Sequence, residues 1–208
     1  MIDFDRFRHI MGEAGRLALA SWPGHGHALD VWDKSPNNPV SAADLAVDAY
    51  LKQELGSLLP SAGWLSEETA DDPARLDKGL CWLVDPIDGT QPFILGMTSW
   101  CVSIGFMQDG IIQFGMVYAP VRNELFAGGR GFPATLNGAP MPRHPGKSLR
   151  EGITGMGYNT RIPVEDFMRP FEALLRAGGM FFRDGSGALN LSYVAAGRLL
   201  GYFEPHIN

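Results

Sequence analysis

The pattern of apolar and polar positions predicts two helices in the first third of the chain. Apolar residues recur at helical spacing from Phe4 to Ala18, which indicates an amphipathic helix over residues 3–21. A second helix is expected to begin near Ser41, whose hydroxyl suits an N-cap, and to stop at Pro60. The polar run between the two helices, residues 33–39, is typical of an exposed loop or hairpin.

From residue 62 onward, the pattern changes to short apolar runs separated by Gly, Pro and Asp. Such runs predict β-strands, and Asp109-Gly110 between two of them is a strong hairpin signal. A turn-rich segment at residues 128–146 is followed by strands that alternate with helices. The order of elements therefore predicts an α+β (mixed α/β) protein with a mostly antiparallel sheet. The predicted strands cover residues 62–66, 80–84, 100–107, 111–118, 124–127, 152–155, 180–182 and 201–203, with helices over 164–177 and after 187.

Composition and charge exclude several classes of protein. The 208 residues are 45% hydrophobic and 19% charged, which excludes a disordered or fibrous chain. The net charge of -6 indicates an acidic surface that repels phosphate backbones, so we expect no nucleic-acid partner. No apolar run is long enough to cross a bilayer, so we expect no membrane partner. Cys81 and Cys101 both lie in apolar strand-like runs, which favours buried free thiols and a cytoplasmic location.

The sharpest candidate for chemistry is Asp-Pro-Ile-Asp-Gly-Thr at residues 85–90, directly after a predicted buried strand. Pro86 stiffens the turn, so that the carboxylates of Asp85 and Asp88 are held close together. Oxygen ligands on a rigid turn suit a hard divalent cation such as Mg²⁺. A strand that ends in an ordinary Asp-Gly turn is the alternative, and the spacing by itself leaves both interpretations open.

Two further acidic positions are candidates for the same site. Glu67 follows the predicted strand 62–66, and two parallel strands that both end in acids could converge on one cation. Asp44 lies three residues after Ser41, which is the spacing of a capping box. On the residues alone, the capping interpretation of Asp44 is favoured over a catalytic one.

Several separated motifs, taken in order, resemble the inositol monophosphatase family. They are the segments 64–69, 82–90, 100–105, 136–138 and 185–190, and the likeness covers nearly the whole chain. This family belongs to the Mg²⁺-dependent, lithium-sensitive sugar-phosphatase superfamily. The resemblance implies a layered αβαβα fold, a homodimer, and hydrolysis of a small phosphorylated substrate.

The resemblance also implies a role for each candidate residue. Glu67, Asp85 and the Ile87 carbonyl would hold a first Mg²⁺, and Asp85 with Asp88 a second. A third, more weakly bound ion would lie near Glu67, so that the site would hold two or three Mg²⁺ ions. Asp44, Glu67 and Thr90 would be the catalytic groups, with Asp44 and Thr90 orienting or deprotonating the attacking water. The substrate-binding residues would be Asp88, Gly89, Thr90, Gly185, Ser186, Gly187 and Glu204.

Alternatives remain for two of these positions, and one motif of the family is missing. Ser186 could instead be an N-cap, and Glu204 a surface acid. Members of the family carry a later Trp-Asp-x-x-Ala-Gly motif whose Asp binds the second metal, whereas this sequence ends at Asn208 before any counterpart. We therefore expect an α+β metal-binding domain over residues 1–146 and an α/β substrate-side domain over 147–208 that is incomplete at its C-terminus.

The function that these motifs predict is hydrolysis of inositol monophosphate, or of a similar small phosphorylated alcohol, by metal-activated water. Fructose-1,6-bisphosphate, 3′-phosphoadenosine-5′-phosphate and histidinol phosphate are alternative substrates for the same metals. A non-catalytic regulatory or scaffold member of the family, which binds a protein partner, is the alternative from another functional class.

Overall fold

The first elements of the fold are two helices joined by a short hairpin. The structure, a computed structural model, describes residues 3–26, 29–35, 38–159 and 162–206. Asp3 caps the first helix by accepting hydrogen bonds from the amides of the first turn. Both predicted helices and the hairpin between them are present, although residues 36–37 of the loop lie outside the described residues. The bounds are α1 Phe4–Ser21, β1 Val31–Ser35, β2 Asn38–Ser41 and α2 Ala42–Leu58.

A seven-stranded sheet forms the centre of the molecule. Its order follows the sequence, with one parallel pair at one edge and antiparallel pairing across the rest. The predicted hairpin at Asp109-Gly110 is confirmed, since both residues adopt the positive φ that such tight turns require. The strands are β3 Gly63–Ser66, β4 Leu80–Asp88, β5 Cys101–Gln108, β6 Ile111–Ala119, β7 Glu124–Gly129, β8 Phe132–Leu136 and β9 Ala139–Pro140.

The sequence pattern missed the last two strands of this sheet. Residues 128–146 are turn-rich, yet β8 and β9 within them extend the sheet as a hairpin. Asn137 and Gly138 form its tight turn with φ values of 50° and 81°. An Asn-Gly pair is the strongest short signal for such a turn, so it could have predicted this hairpin.

A second, smaller sheet completes the layers. It consists of the parallel strands β10 Ile153–Met156, β11 Met180–Phe182 and β12 Gly201–Phe203 in the order β11-β10-β12. The helices of this part of the chain are α4 Val164–Arg176 and α5 Gly187–Ala195, while the short α3 Thr90–Ile94 follows β4. On β11, Phe181 packs against Phe171 of α4, whereas Phe182 faces the core shared with α5. Since α1 and α2 cover the other face of the large sheet, the predicted αβαβα layering is confirmed.

Two hydrophobic clusters hold these layers together. The first lies between α1, α2 and the large sheet, where the ring of Phe7 lies 5.5 Å from that of Trp82. The second joins Cys101 and Phe126 of the large sheet to Leu189 and Tyr193 of α5. Because this cluster draws on both sides of residue 146, the two predicted domains share a core. The division of the chain into these two domains stays a prediction. The final two residues of the second domain lie outside the described residues.

Candidate active site

The parallel pairing of β3 and β4 places two carboxylates at one edge of the large sheet. Ser66 of β3 is paired with Val84 of β4, and the amide of Glu67 donates to the Val84 carbonyl over 3.3 Å. Glu67 and Asp85 are the next residues along their strands, so both emerge at the carboxyl ends of a parallel pair. This is the edge at which α/β proteins collect ligand sites.

A β-bulge brings Asp88 to the same face of the sheet as Asp85. Asp85 is paired with Ser103 and Asp88 with Cys101, so three steps along β4 match two along β5. Residues three apart on a regular strand point to opposite faces, whereas the partners Ser103 and Cys101 share a face. The inserted residue therefore aligns the two carboxylates. Pro86, which cannot donate to the ladder, lies inside this irregularity.

These carboxylates line an open cavity of about 930 Å³ between the two sheets. Every predicted site residue lines this cavity except Asp44. Sequence reasoning missed several polar lining groups, because their positions depend on contacts between distant segments. They include Tyr158, Asn159, Arg183, Asp184, Asn190 and Tyr202.

Asp44 lies behind the cavity, where the predicted capping box is confirmed and the carboxylate also contacts Thr90. Its Oδ2 accepts hydrogen bonds from the amide of Ser41 at 2.9 Å and from the Ser41 hydroxyl at 2.6 Å, as a helix cap does. Its Oδ1 lies 3.4 Å from the hydroxyl of Thr90, which is also 3.2 Å from the Ile87 carbonyl. One carboxylate thus caps α2 and contacts the predicted catalytic threonine.

Asp88 is held from the other side of the cavity by the start of α5. Its Oδ2 accepts from the Ser186 hydroxyl at 2.5 Å and from the amide of Ala188 at 2.8 Å, and the Cys101 thiol lies 3.8 Å away. The buried Ser186 hydroxyl also accepts from the amide of Leu189, so its interpretation as an N-cap is correct. The hydroxyl proton of Ser186 is therefore engaged by Asp88.

Glycines shape the remaining walls of the cavity. Gly89 adopts φ +93°, and a Cβ at that position would lie 2.7 Å from the carbonyl oxygen of Ser99. Its conformation starts α3, so that the amides at the beginning of this helix have no intrahelical acceptor. Gly185 has the same φ and approaches Pro92 closely. Across the cavity, Glu204 follows β12, is half-buried, and accepts a 2.5 Å hydrogen bond from the hydroxyl of Tyr202.

The electrostatics of the cavity favour a cation. Burial raises the pKa of Asp85 well above its usual value, and repulsion from Asp88 and Glu67 adds to the effect. Burial also raises the pKa of Asp88, although the hydrogen bond from Ser186 opposes this shift. Carboxylate and carbonyl oxygens are the ligands that Mg²⁺ prefers, so the donors fit that ion in type. Within the described ranges, no three His, Cys, Asp or Glu side chains are already placed so that together they could hold a metal ion. An ion would therefore have to draw the carboxylates together.

Comparison with known proteins agrees with this architecture. The model of the inositol monophosphatase family matches residues 8–207. The chain belongs to this family. The match confirms the resemblance carried by the separated motifs, and with it the fold class.

Individual relatives define how far the likeness extends. The chain is 34% identical over 178 residues to "Nus factor SuhB" of Vibrio cholerae, a match that covers 85% of this chain and 66% of the relative. It therefore spans about two thirds of the length of that protein. The crystal structure of the extragenic suppressor protein suhB from Bartonella henselae superimposes with a TM-score of 0.90 at 29% identity, covering 97% of this chain and 77% of that one. The Thermotoga maritima IMPase gives a TM-score of 0.83 at 26% identity, covering 94% and 73%.

Among the helices formed by the described residues, none combines the length and the apolar character needed to cross a membrane.

Proposed function

We propose that this protein is a Mg²⁺-dependent phosphatase that hydrolyses inositol monophosphate or a similar small phosphorylated alcohol. The observation that carries the proposal is the convergence of Glu67, Asp85 and Asp88 on one cavity, through parallel strand ends and a bulge. Such an arrangement of oxygen ligands beside a half-enclosed cavity suits metal-assisted ester hydrolysis.

The chain's own oxygens would hold the ions. Glu67, Asp85 and the Ile87 carbonyl are our assignment for a first Mg²⁺, Asp85 with Asp88 for a second, and the surroundings of Glu67 for a third. Bound Mg²⁺ neutralises phosphate charge and lowers the pKa of a coordinated water. The hydrogen bonds from Ser186 and Ala188 hold the Asp88 carboxylate in one orientation, which reduces its freedom before an ion binds.

Asp44 and Thr90 would orient the water that attacks phosphorus. When the Thr90 hydroxyl donates its proton to Asp44 or to the Ile87 carbonyl, its oxygen lone pairs are available to accept a hydrogen bond from a water. A water that donates one O–H to Thr90 has a lone pair that points away from Thr90. Asp44 is only 1% exposed, so it acts through Thr90 and does not touch the substrate directly.

The rest of the cavity would recognise the substrate. The amides of Gly89 and Thr90 can donate to the phosphate, while Asp88 and Glu204 offer acceptors to the hydroxyl groups of the alcohol. Gly185, Ser186 and Gly187 would contribute through their backbone. Fructose-1,6-bisphosphate, 3′-phosphoadenosine-5′-phosphate and histidinol phosphate remain alternative substrates. A homodimer and a cytoplasmic location stay predictions.

A substrate panel with phosphate detection tests the proposal. The purified protein should release phosphate from inositol monophosphate when Mg²⁺ is supplied and lose this activity with a chelator. Asp85→Asn should lower kcat by at least about 100-fold. Loss of a residue that only hydrogen-bonds to a metal ligand already costs about 10–100-fold in affinity or activity, and Asp85 is proposed as a ligand itself. Asp77→Asn, the same change at an exposed acid, is the matched control. Equal activity of Asp85→Asn and the unaltered protein would contradict the proposal, and preference for the adenosine bisphosphate would overturn the choice of substrate.

A non-catalytic role is the second candidate, and the names of the relatives favour it. Several curated relatives are called Nus factor, a name that states no enzyme activity. That name identifies no small-molecule partner, so a small phosphorylated substrate as the partner stays a proposal. Asp85→Asn again separates the two functions, because a scaffold should keep its full biological activity in cells when the metal ligand is lost.

A further inference from the structure

A second buried carboxylate on α2 lies outside the cavity and has no role in the chemistry described so far. Asp48 follows Asp44 by one helical turn and is 6% exposed. It does not line the cavity. An acidic side chain is rarely buried without strong hydrogen bonds, so its partners indicate why it is there.

The partners of Asp48 are two hydroxyl groups that flank Glu67. The Ser66 hydroxyl donates to Asp48 Oδ1 over 2.5 Å, and the Thr69 hydroxyl donates to Asp48 Oδ2 over 2.5 Å. Ser66 is the last residue of β3, and Thr69 lies two residues beyond Glu67. Each carboxylate oxygen therefore holds one end of the turn that carries Glu67.

Ser66 extends this contact to the backbone of the turn. While its hydroxyl donates to Asp48, its oxygen accepts from the amide of Glu68 over 3.2 Å. The carboxylate of α2 is thus connected to the main chain beside Glu67. The amide of Glu67 itself is held by the Val84 carbonyl of β4.

We propose that Asp48 is the positioning residue for Glu67. It fixes the turn 66–69 so that the Glu67 carboxylate faces the cavity opposite Asp85. One turn earlier, Asp44 contacts Thr90, the first residue of α3 after β4, so a single face of α2 contacts the segments that follow both ligand-bearing strands. The role of Asp48 in metal binding rests on the proposed function, whereas its effect on the turn can be measured without any metal.

The chemistry of the contact requires a carboxylate at this position. Ionised Asp has acceptor sites on both oxygens and can take two hydroxyl protons at once. Asn offers a single acceptor oxygen, and its NH₂ group would oppose the hydroxyl proton of Ser66 or Thr69. If Ser66 or Thr69 instead accepted from that NH₂ group, its own hydroxyl proton would lose the carboxylate acceptor that it has now. The substitution Asp48→Glu keeps two acceptor oxygens at the expense of one additional methylene.

Amide hydrogen exchange of the metal-free protein gives the first test. Asp48→Asn should speed exchange of the Glu68 amide by about tenfold or more, because hydrogen bonds to charged groups are the strong ones. Glu54→Gln removes the same charge from a partly exposed position of the same helix and serves as the matched control. Unchanged exchange over residues 66–69 in folded Asp48→Asn protein would overturn the inference.

Magnesium affinity gives the second test, with calorimetric titration as a readout independent of turnover. Asp48→Asn should weaken Mg²⁺ binding by about 10-fold, the range for residues that orient a ligand, with Glu54→Gln within about twofold. Asp48→Glu should recover most of the loss, which a role in stability alone would not explain. If Asp48→Asn proves unstable, Thr69→Val removes one donor and should give a smaller change in the same direction. Accelerated exchange combined with unchanged Mg²⁺ affinity would overturn the positioning role.

The two proposals fail in different ways. If the unaltered protein binds Mg²⁺ but releases no phosphate, the proposed function is wrong, and a loss of affinity in Asp48→Asn still supports the positioning of Glu67. If the unaltered protein is an active phosphatase and Asp48→Asn matches it in Mg²⁺ affinity, the positioning role is wrong and the proposed function stands.

Discussion

The Ser186 hydroxyl donates to Asp88 Oδ2 over 2.5 Å, across 98 positions of sequence. The same hydroxyl accepts from the amide of Leu189 and so caps α5. One side chain therefore stabilises the start of a helix in the second half of the chain and orients an acid at the end of β4. Docking of α5 on the large sheet and the geometry of the proposed metal site are coupled through this contact.

Ser186→Ala should lower both the stability and the Mg²⁺ affinity of the protein. Loss of an N-cap costs about 1 kcal/mol, and the half-buried Asp88 carboxylate loses its shortest hydrogen bond as well. We expect the free energy of unfolding to fall by about 1–3 kcal/mol and Mg²⁺ binding to weaken by about 10-fold. Denaturant unfolding and calorimetric titration measure the two effects.

The control for this variant lies in the same helix. Ser192 is also buried, but its hydroxyl donates to the Ala188 carbonyl within α5. Ser192→Ala should change stability by about 0.5 kcal/mol or less and leave Mg²⁺ affinity unchanged, since such internal contacts add little to a helix. Equal effects of the two substitutions on Mg²⁺ affinity would show that Ser186 does not act through Asp88.

The raised pKa of Asp85 predicts how the stability of the metal-free protein depends on pH. Because the folded state holds this proton more tightly than the unfolded state does, ionisation of Asp85 disfavours folding. The penalty is absent below the unperturbed pKa of about 4, grows as the pH rises from there to the folded pKa, and is constant above it. Asp85→Asn removes the penalty, so in the presence of a chelator it should become more stable than the unaltered protein as the pH increases.

Magnesium should reverse that order near neutral pH. A ligand that binds the folded state stabilises it in proportion to the logarithm of its concentration above Kd. Mg²⁺ should therefore raise the Tm of the unaltered protein at about pH 7.5, do so much less at about pH 4.5, and leave Asp85→Asn unchanged. Thermal unfolding at the two pH values, with Asp77→Asn as the surface control, measures this. A Tm increase of equal size in Asp85→Asn would contradict the assignment of Asp85 as a ligand.

Local sequence patterns predicted the positions of the acids but not their alignment. Glu67 and Asp85 each follow an apolar run, and parallel pairing of those runs was enough to bring them together. The prediction that the second strand ends at residue 84 was wrong, because β4 continues through Asp88 and includes both acids. The bulge that turns Asp88 to the same face depends on pairing with β5. Within the segment, Pro86 is compatible with a bulge or with a turn, so it does not by itself specify that pairing. Spacing alone therefore could not decide between an ordinary turn and a metal site.

Contacts between distant segments account for the rest of what the sequence did not show. In the sequence, Asp48 resembles any polar residue of a helix. Its hydrogen-bond partners, Ser66 and Thr69, lie outside α2, so local spacing could not predict these contacts. The spacing of Asp44 predicts only a cap, and its pairing with Thr90 comes from the family resemblance; the folded chain shows that the two contacts use different oxygens of one carboxylate. Residue type and local spacing describe what a side chain can do, whereas its partner is set by how the elements pack.

Gly89→Ala should disrupt the turn between β4 and α3 more than its backbone conformation alone explains. Gly89 has φ +93°, and an added Cβ would lie 2.7 Å from the Ser99 carbonyl and 3.2 Å from Ser186 Cβ. Gly110 has φ +76° with no atom within 4 Å of its Cβ position, so Gly110→Ala carries the conformational cost without the collision. We expect Gly110→Ala to cost about 1 kcal/mol and Gly89→Ala at least about 1–3 kcal/mol more. Since the added methyl group pushes on Ser186, Gly89→Ala should also weaken Mg²⁺ binding. Denaturant unfolding measures the stability of both variants. Similar losses of stability in Gly89→Ala and Gly110→Ala would show that the turn relaxes without disturbing α5.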